Sequence, residues 1–191
     1  MLVQGSGWFA GITVLLGGIP QVVKLLKSHN REGVSSWTYT LWLGFVTFWA
    51  VWSISVGAVP GIVANSLSIP IVATALLLLN PTLREKIFIA AVAISSVSLF
   101  FFYSPALAAF ASLCQVVMAI PSLRLALIPN EDLSGVAIGT WVLTFLSCVG
   151  WLIFDVGIHY PLSGVAGIIP MMASVVIVYK TAMYKRQINS I

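Results

Sequence analysis

Charge is what this sequence has least of. Its 191 residues include nine Lys and Arg, five Asp and Glu and two His, so charged side chains make up 7% of the chain. A soluble domain carries roughly a quarter. With 60% hydrophobic residues and a mean hydropathy of +1.06, there are not enough polar residues to cover an aqueous surface, and no separate water-soluble domain fits. Cysteine is scarce too: Cys114 and Cys148 lie inside apolar stretches and are too few for a disulfide framework or a four-ligand metal site. His29 and His159 fall in separate loops. No metal-spaced His or Cys set, glycine loop behind a strand, or nucleophile elbow occurs, so the sequence predicts neither an enzyme nor a cofactor or metal site. A net charge of +4 would suit nucleic acid. The basic residues, however, sit in short clusters between apolar segments rather than along one face, which argues against that partner.

What is present is apolar length. A hydrocarbon core of about 30 Å takes roughly 17–25 helical residues to cross, and seven windows qualify: 7–26, 36–56, 60–79, 87–103, 105–123, 136–156 and 161–180. Nothing basic precedes the first window and no small-residue cleavage site follows it, so it reads as a retained helix rather than a signal peptide. Lys24, Lys27 and Arg31 follow the first span, Arg84 and Lys86 the third, Arg124 the fifth, and Lys180, Lys185 and Arg186 the seventh. With seven spans all of these lie on one side. The opposite segments are the N-terminus, residues 57–59, the turn at Ser104 and residues 157–160, and they carry no Lys or Arg. The positive-inside rule then places the N-terminus outside and the C-terminus in the cytosol of a multi-pass protein of the cell or plasma membrane. Residues 24–32 and 180–186 read as anchors for anionic lipid.

The chain also repeats itself. At an offset of 102, Gly33, Val34, Thr38, Leu41 and Trp49 meet Gly135, Val136, Thr140, Leu143 and Trp151. Pro20 meets Pro121 with a one-residue slip, and Pro70 meets Pro170 with a two-residue slip. An odd number of spans per repeat plus one linker leaves both repeats in the same orientation. The fold class expected is an all-α membrane protein whose seven transmembrane helices form two parallel three-helix bundles joined by a linker helix. Its boundaries are residues 1–80, 81–104 and 105–191.

The run Ile19-Pro20-Gln21, followed by Lys24, Lys27 and Gly33-Val34-Ser35, resembles the proline–glutamine (PQ-loop) motif, and the 3+1+3 layout resembles the SWEET and SemiSWEET sugar transporters. In the second half the dipeptide is Pro121-Ser122, so the glutamine is lost there. Families of this fold include sugar facilitators, amino acid exporters and carriers of vitamin precursors, so the fold leaves the substrate open. The resemblance implies a substrate pair of a second-span aromatic and a third-span asparagine, here Trp49 and Asn65. An indole face stacks on a pyranose, and an amide both donates to and accepts from hydroxyls. Without the motif, Asn65 reads equally well as glue between helices.

Around that pair, Ser68 shares a helix face with Asn65. The second half has Gly167 where an asparagine would stand, so Thr144, Ser147 and Trp151 of the sixth span are expected to line an asymmetric site. Trp8, Trp37 and Trp42 are expected against lipid or in the interfacial belt. Pro20 and Pro121, with Gln21 beside the first, are expected hinges, because proline removes an N–H and clashes with the preceding turn. The stripe Ala108, Ser112, Gln115, Ala119, Ser122 either lines a pathway or packs tightly. Asp155, with His159 and Tyr160 close behind, is the one acidic residue on the non-basic side. It closes an outer gate, carries a proton, or snorkels to headgroups.

The expected function is passive alternating-access uniport of a small sugar. The alternative is proton-coupled movement of an amino acid or other small polar solute, and a receptor using the same fold without flux stands behind both. The bilayer and the sugar are the expected partners, and homo-oligomerisation is left open.

Overall fold

A computed structural model describes residues 2–102, 104–159 and 161–189. Tyr160 and the last residue of the expected fourth span, Tyr103, lie outside the described residues. All regular structure among the described residues is helical: α1 (Leu2–Gly17), α2 (Ile19–Ser28), α3 (Ser36–Val56), α4 (Val59–Leu78), α5 (Leu83–Phe102), α6 (Ser104–Met118), α7 (Ile120–Leu127), α8 (Ile138–Gly157), α9 (Pro161–Ala166) and α10 (Ile168–Asn189). These make seven helices, because α1 and α2, α6 and α7, and α9 and α10 each share one span. Six are long and apolar enough to cross a membrane: Leu2–Ser28, Ser36–Val56, Val59–Leu78, Ala106–Leu127, Ile138–Gly157 and Gly164–Ile188. The seventh is α5, 20 residues long with a charged first turn. The protein is an all-α, multi-pass membrane protein.

Proline sets the breaks. Pro20 stands in the first turn of α2 behind Gly18, and Pro121 in the first turn of α7 behind Ala119. A proline in a first turn sacrifices an N–H that has no partner there anyway, so each span restarts at its proline. Pro70 and Pro170 are repeat counterparts but behave differently. Pro70 lies inside an unbroken α4, whereas α9 and α10 part at Gly167. Gly167 stands where the first half has Asn65, and glycine is the weaker helix former.

The packing follows the repeat. The third span lies against the first and second, and the seventh against the fifth and sixth. Across the middle the first span packs on the sixth and the fifth on the second. Exchanging the two halves turns one of these cross-contacts into the other. The linker α5 lies on α3 and α6. Lipid tails are as apolar as leucine, so close fit rather than water exclusion holds such helices together. A Cβ on Gly7 would stand 2.6 Å from the Phe154 ring, and one on Gly150 2.8 Å from the Cβ of Ala10. The outer faces carry exposed Leu67, Leu77, Ile94, Phe101 and Val175, as a lipid-facing surface should.

At the basic end the matched glycines clasp each other's loops. Gly33, at φ +68°, leaves no room for a Cβ, which would stand 2.6 Å from the Asp132 carbonyl oxygen. At Gly135 a Cβ would stand 2.3 Å from the Glu32 carbonyl oxygen.

Two expectations need correction. The fourth helix begins at Leu83, not at residue 87, because Thr82 and Glu85 form a capping box: the Thr82 N–H donates to Glu85 Oε2 at 2.7 Å and the Glu85 N–H to Thr82 Oγ1 at 3.4 Å. Arg84 and Lys86 therefore belong to its first turn. Trp42 is not at the lipid. It is 4% exposed, whereas Trp8 and Trp37 are 43% and 39% exposed, because α3 packs against α4, α5, α6 and α7 and has no face left for lipid at that level.

Candidate functional site

A helix that is hydrophobic all round is either buried in protein or a membrane span, and packing on α4, α5, α6 and α7 puts Trp42, Phe45, Trp49 and Trp52 of α3 in the middle of the molecule. Around them, on the seam between the two repeats, lies a cavity at the end away from the basic loops, named the outer cavity for its distance from those loops. It is lined by Phe45, Trp49, Trp52 and Ser53 of α3, Ala58, Gly61 and Asn65 at the start of α4, Gln115 of α6, and Trp151, Phe154 and Asp155 of α8. Its walls obey the repeat: Trp49, Trp52 and Ser53 stand 102 residues before Trp151, Phe154 and Asp155. Trp49 and Trp52 meet edge to face with ring centres 4.9 Å apart, and Trp151 and Phe154 do so at 5.6 Å. The space between atoms is about 400 Å³, open mouth included, but a water's centre can visit only about 30 Å³ of it. That is room for a few waters. A larger solute enters only as the helices part.

An inner cavity continues from it towards the basic end, lined by Val14, Trp42, Phe45, Gln115, Met118, Thr144, Ser147, Cys148 and Trp151. Phe45, Gln115 and Trp151 wall both cavities. Beyond the inner cavity the Trp42 ring packs on Tyr39 with centres 5.7 Å apart, and Tyr39 lines a third pocket with Gln21 and Ser122.

Hydrogen bonds close the seam at its basic end. Gln21 is 1% exposed; its amide donates to the Gly135 carbonyl at 3.1 Å and accepts from the Ala137 N–H at 2.9 Å. Lys24 donates to the carbonyls of Ser134 and Val136, and Lys185 also reaches the Val136 carbonyl, at 3.0 Å. On the other cross-contact the hydroxyls of Ser122 and Thr38 lie 2.8 Å apart. Asp132, in the loop before α8, accepts from the Ser134 N–H and the Tyr184 hydroxyl, both at 2.7 Å. Hydrogen bonds from Ser134 and Tyr184 hold its carboxyl below the usual carboxylate range.

The residues expected at the site are thus distributed. Trp49, Asn65, Trp151 and Asp155 meet in the outer cavity, where Asp155 is 4% exposed. The Asn65 amide donates to the Gly61 carbonyl at 2.9 Å, one turn back in its own helix. Thr144 and Ser147 line the inner cavity, but Thr144 donates to the Thr140 carbonyl at 2.9 Å and Ser147 to the Ala10 carbonyl at 3.2 Å. Ser68 lines neither cavity and donates to the Ala64 carbonyl at 2.7 Å. Gln21, Pro20 and Pro121 belong to the basic end. Pro20 lies under the first turn of α8, where a Cβ on Gly139 would stand 3.3 Å from its ring.

Sequence reasoning assigned no role in substrate contact to Trp42, Phe45, Trp52 or Ser53, and left Gln115 open between lining a pathway and packing tightly. Signals for three of them were there: Trp52 and Ser53 stand at the repeat offset from Phe154 and Asp155, and Gln115 is a full amide in the middle of an apolar span, where a polar group is expensive. Among the described residues no three His, Cys, Asp or Glu side chains are placed to hold a metal.

No curated protein and no solved structure matches the chain. Residues 2–62, about a third of it, match the family model described as PQ loop repeat. That stretch holds the first two spans, the Pro20-Gln21 dipeptide and the start of α4 up to Ile62. The match points to a membrane transporter or a related function, and residues 2–62 of this protein are similar to a PQ-loop repeat.

Proposed function

We propose that this protein is a passive transporter of a small neutral sugar, working by alternating access. The observation that carries the reading is the outer cavity on the seam between the repeats, walled by Trp49, Trp52, Trp151 and Phe154 and bearing Asn65. Flat aromatic faces opposite one another suit a ring with apolar C–H faces, and the amide suits its hydroxyl edge. Among the described residues the two halves meet along the first–sixth and second–fifth cross-contacts, at the clasped loops of the basic end and through the linker, so rocking one half against the other opens one end as it closes the other. The hinges are the breaks before Pro20 and Pro121. Closure at the basic end leaves the outer cavity as the side of entry in this conformation. The N-terminus lies outside and the basic end faces the cytosol in this reading.

A second reading is favoured by one observation. Asp155 is an acid buried in the cavity wall, and an acid on a solute path is a candidate proton carrier. The alternative is therefore proton-coupled transport of an amino acid or other small polar solute. Equilibrium counterflow of labelled mono- and disaccharides into proteoliposomes, without an ion gradient, separates the two. Accumulation that Asn65→Ala abolishes is the result expected for a sugar uniporter. No accumulation of any sugar, with uptake of an amino acid driven by a pH gradient, would overturn it.

A further inference from the structure

We infer that the inner cavity is a second binding station for the transported solute, with the Gln115 side-chain carbonyl and the Trp42 indole N–H as its polar contacts. The inference rests on the transport reading above and adds a site to it. Most polar groups along the seam are already engaged. The Asn65 amide, Thr144 and Ser147 donate to backbone carbonyls, and Gln21 is held by the loop before α8. Gln115 and Trp42 differ. Gln115 is 3% exposed and its Oε1 accepts no hydrogen bond; Trp42 is 4% exposed and its Nε1 donates none. A buried polar atom without a partner is costly, and a pair of them at one place asks for an explanation.

Both side chains wall the inner cavity. They come from different repeats, Trp42 from α3 and Gln115 from α6, two helices packed on each other. One is an acceptor and the other a donor. A hydroxyl satisfies both, since it donates to the amide oxygen while accepting from the indole. No charged side chain lines this cavity, so an ammonium or carboxylate arriving there would give up its water with nothing to offset the loss. The station therefore favours a neutral polyhydroxylated solute over a zwitterion.

The walls themselves are lopsided. Trp42 and Phe45 of the first repeat stand 102 residues before Thr144 and Ser147 of the second, so one side is aromatic where the other is small. Gln115 also walls the outer cavity, which places it where a solute passes from one station to the next. Trp42 packs on Tyr39 and forms the floor of the inner station.

The test uses the full chain in proteoliposomes. Counterflow of labelled glucose and sucrose is measured for wild type, Gln115→Leu and Trp42→Phe, each variant removing one polar group while keeping most of the bulk. In parallel, Cys148, which lines the inner cavity, is alkylated with N-ethylmaleimide in a Cys114→Ala background, with and without sugar. Each variant is expected to raise the half-saturating sugar concentration about threefold to tenfold. Sugar is expected to slow Cys148 alkylation in the otherwise wild-type chain and not in Gln115→Leu. Counterflow with unchanged half-saturation in both variants and no protection of Cys148 would overturn the inner station and leave the transport reading intact. Protection without counterflow would sustain the station and overturn transport. Protection by labelled alanine equal to that by sugar would overturn the preference for a neutral solute.

Discussion

Ser122 on the fifth span and Thr38 on the second share a 2.8 Å hydrogen bond between their hydroxyls, and the Ser122 N–H also donates to Thr38 Oγ1 at 3.2 Å. The repeat counterpart of Ser122 is Gln21, which instead bonds the backbone at Gly135 and Ala137. Thr140 Oγ1 is left without a partner. One latch is hydroxyl to hydroxyl, the other amide to backbone, and both close the basic end.

The amide latch is the stronger one to cut. Gln21→Leu leaves the Gly135 carbonyl and the Ala137 N–H unpaired, a loss of about 1–3 kcal/mol to the closed form. The expected result is faster labelling of Cys148 by a membrane-impermeant thiol reagent added from the basic side, by roughly tenfold if the loss is near 1.4 kcal/mol. Labelling at the wild-type rate would show that these bonds do not hold the closure.

At the outer cavity, Asn65→Ala should reduce sugar counterflow more than Ser147→Ala. The bond of Asn65 within its own helix uses only the amide N–H, while the Ser147 hydroxyl is tied to Ala10. Equal losses at the two positions would reverse the ordering of the site.

Asp155 discriminates between the two transport readings. Under uniport, counterflow proceeds without a pH gradient, and Asp155→Asn slows it while leaving its pH dependence flat. If a pH gradient drives accumulation in the wild type and Asp155→Asn abolishes that drive, proton coupling is the mechanism. A variant indistinguishable from wild type in both assays would remove Asp155 from the mechanism altogether.

Glycine tests the packing. Gly135→Ala must push a Cβ into the Glu32 backbone at 2.3 Å, which overpacking data put at about 1–3 kcal/mol. Gly5→Ala, in α1 with nothing within 4 Å, should be neutral or slightly stabilising because alanine is the better helix former. Thermal unfolding in detergent ranks the two, and a Gly135→Ala protein as stable as Gly5→Ala would contradict the clasped loops.

Acid should act late on the basic end. The Asp132 carboxyl is lowered by its bonds from Ser134 and Tyr184, so its contribution is complete above the ordinary carboxylate value and is lost as pH falls through the lowered one. The difference in melting temperature between wild type and Asp132→Asn is expected to hold steady from neutral pH down to about pH 5 and to shrink only below about pH 4. A difference that vanished already at pH 6 would point to another group.

How much of this was legible beforehand differs by residue. The seven helices follow from the lengths of the apolar runs, and the breaks at Pro20 and Pro121 from proline's missing N–H. The distribution of the nine basic residues and the offset of 102 that pairs Trp49 with Trp151 are properties of the sequence alone. So is the meeting of Trp49 with Asn65, given the family resemblance. Glu85 was hidden because a charged run between two apolar ones looks like a loop, although Thr82 three residues earlier marked the cap.

Trp42 and Gln115 needed the tertiary structure. In a soluble helix the polar face marks the outside, but lipid and protein interior are equally apolar, so a membrane helix such as α3 carries little periodic signal to say which face meets a neighbour. Sequence therefore determined how many helices there are, where they bend and how the halves correspond. Which indole turns inward, and which polar atoms are left unpaired along the seam, was decided only when the first span packed on the sixth and the second on the fifth. Hydrogen-bond partners 84 or 114 residues apart are set by close packing, not by local pattern.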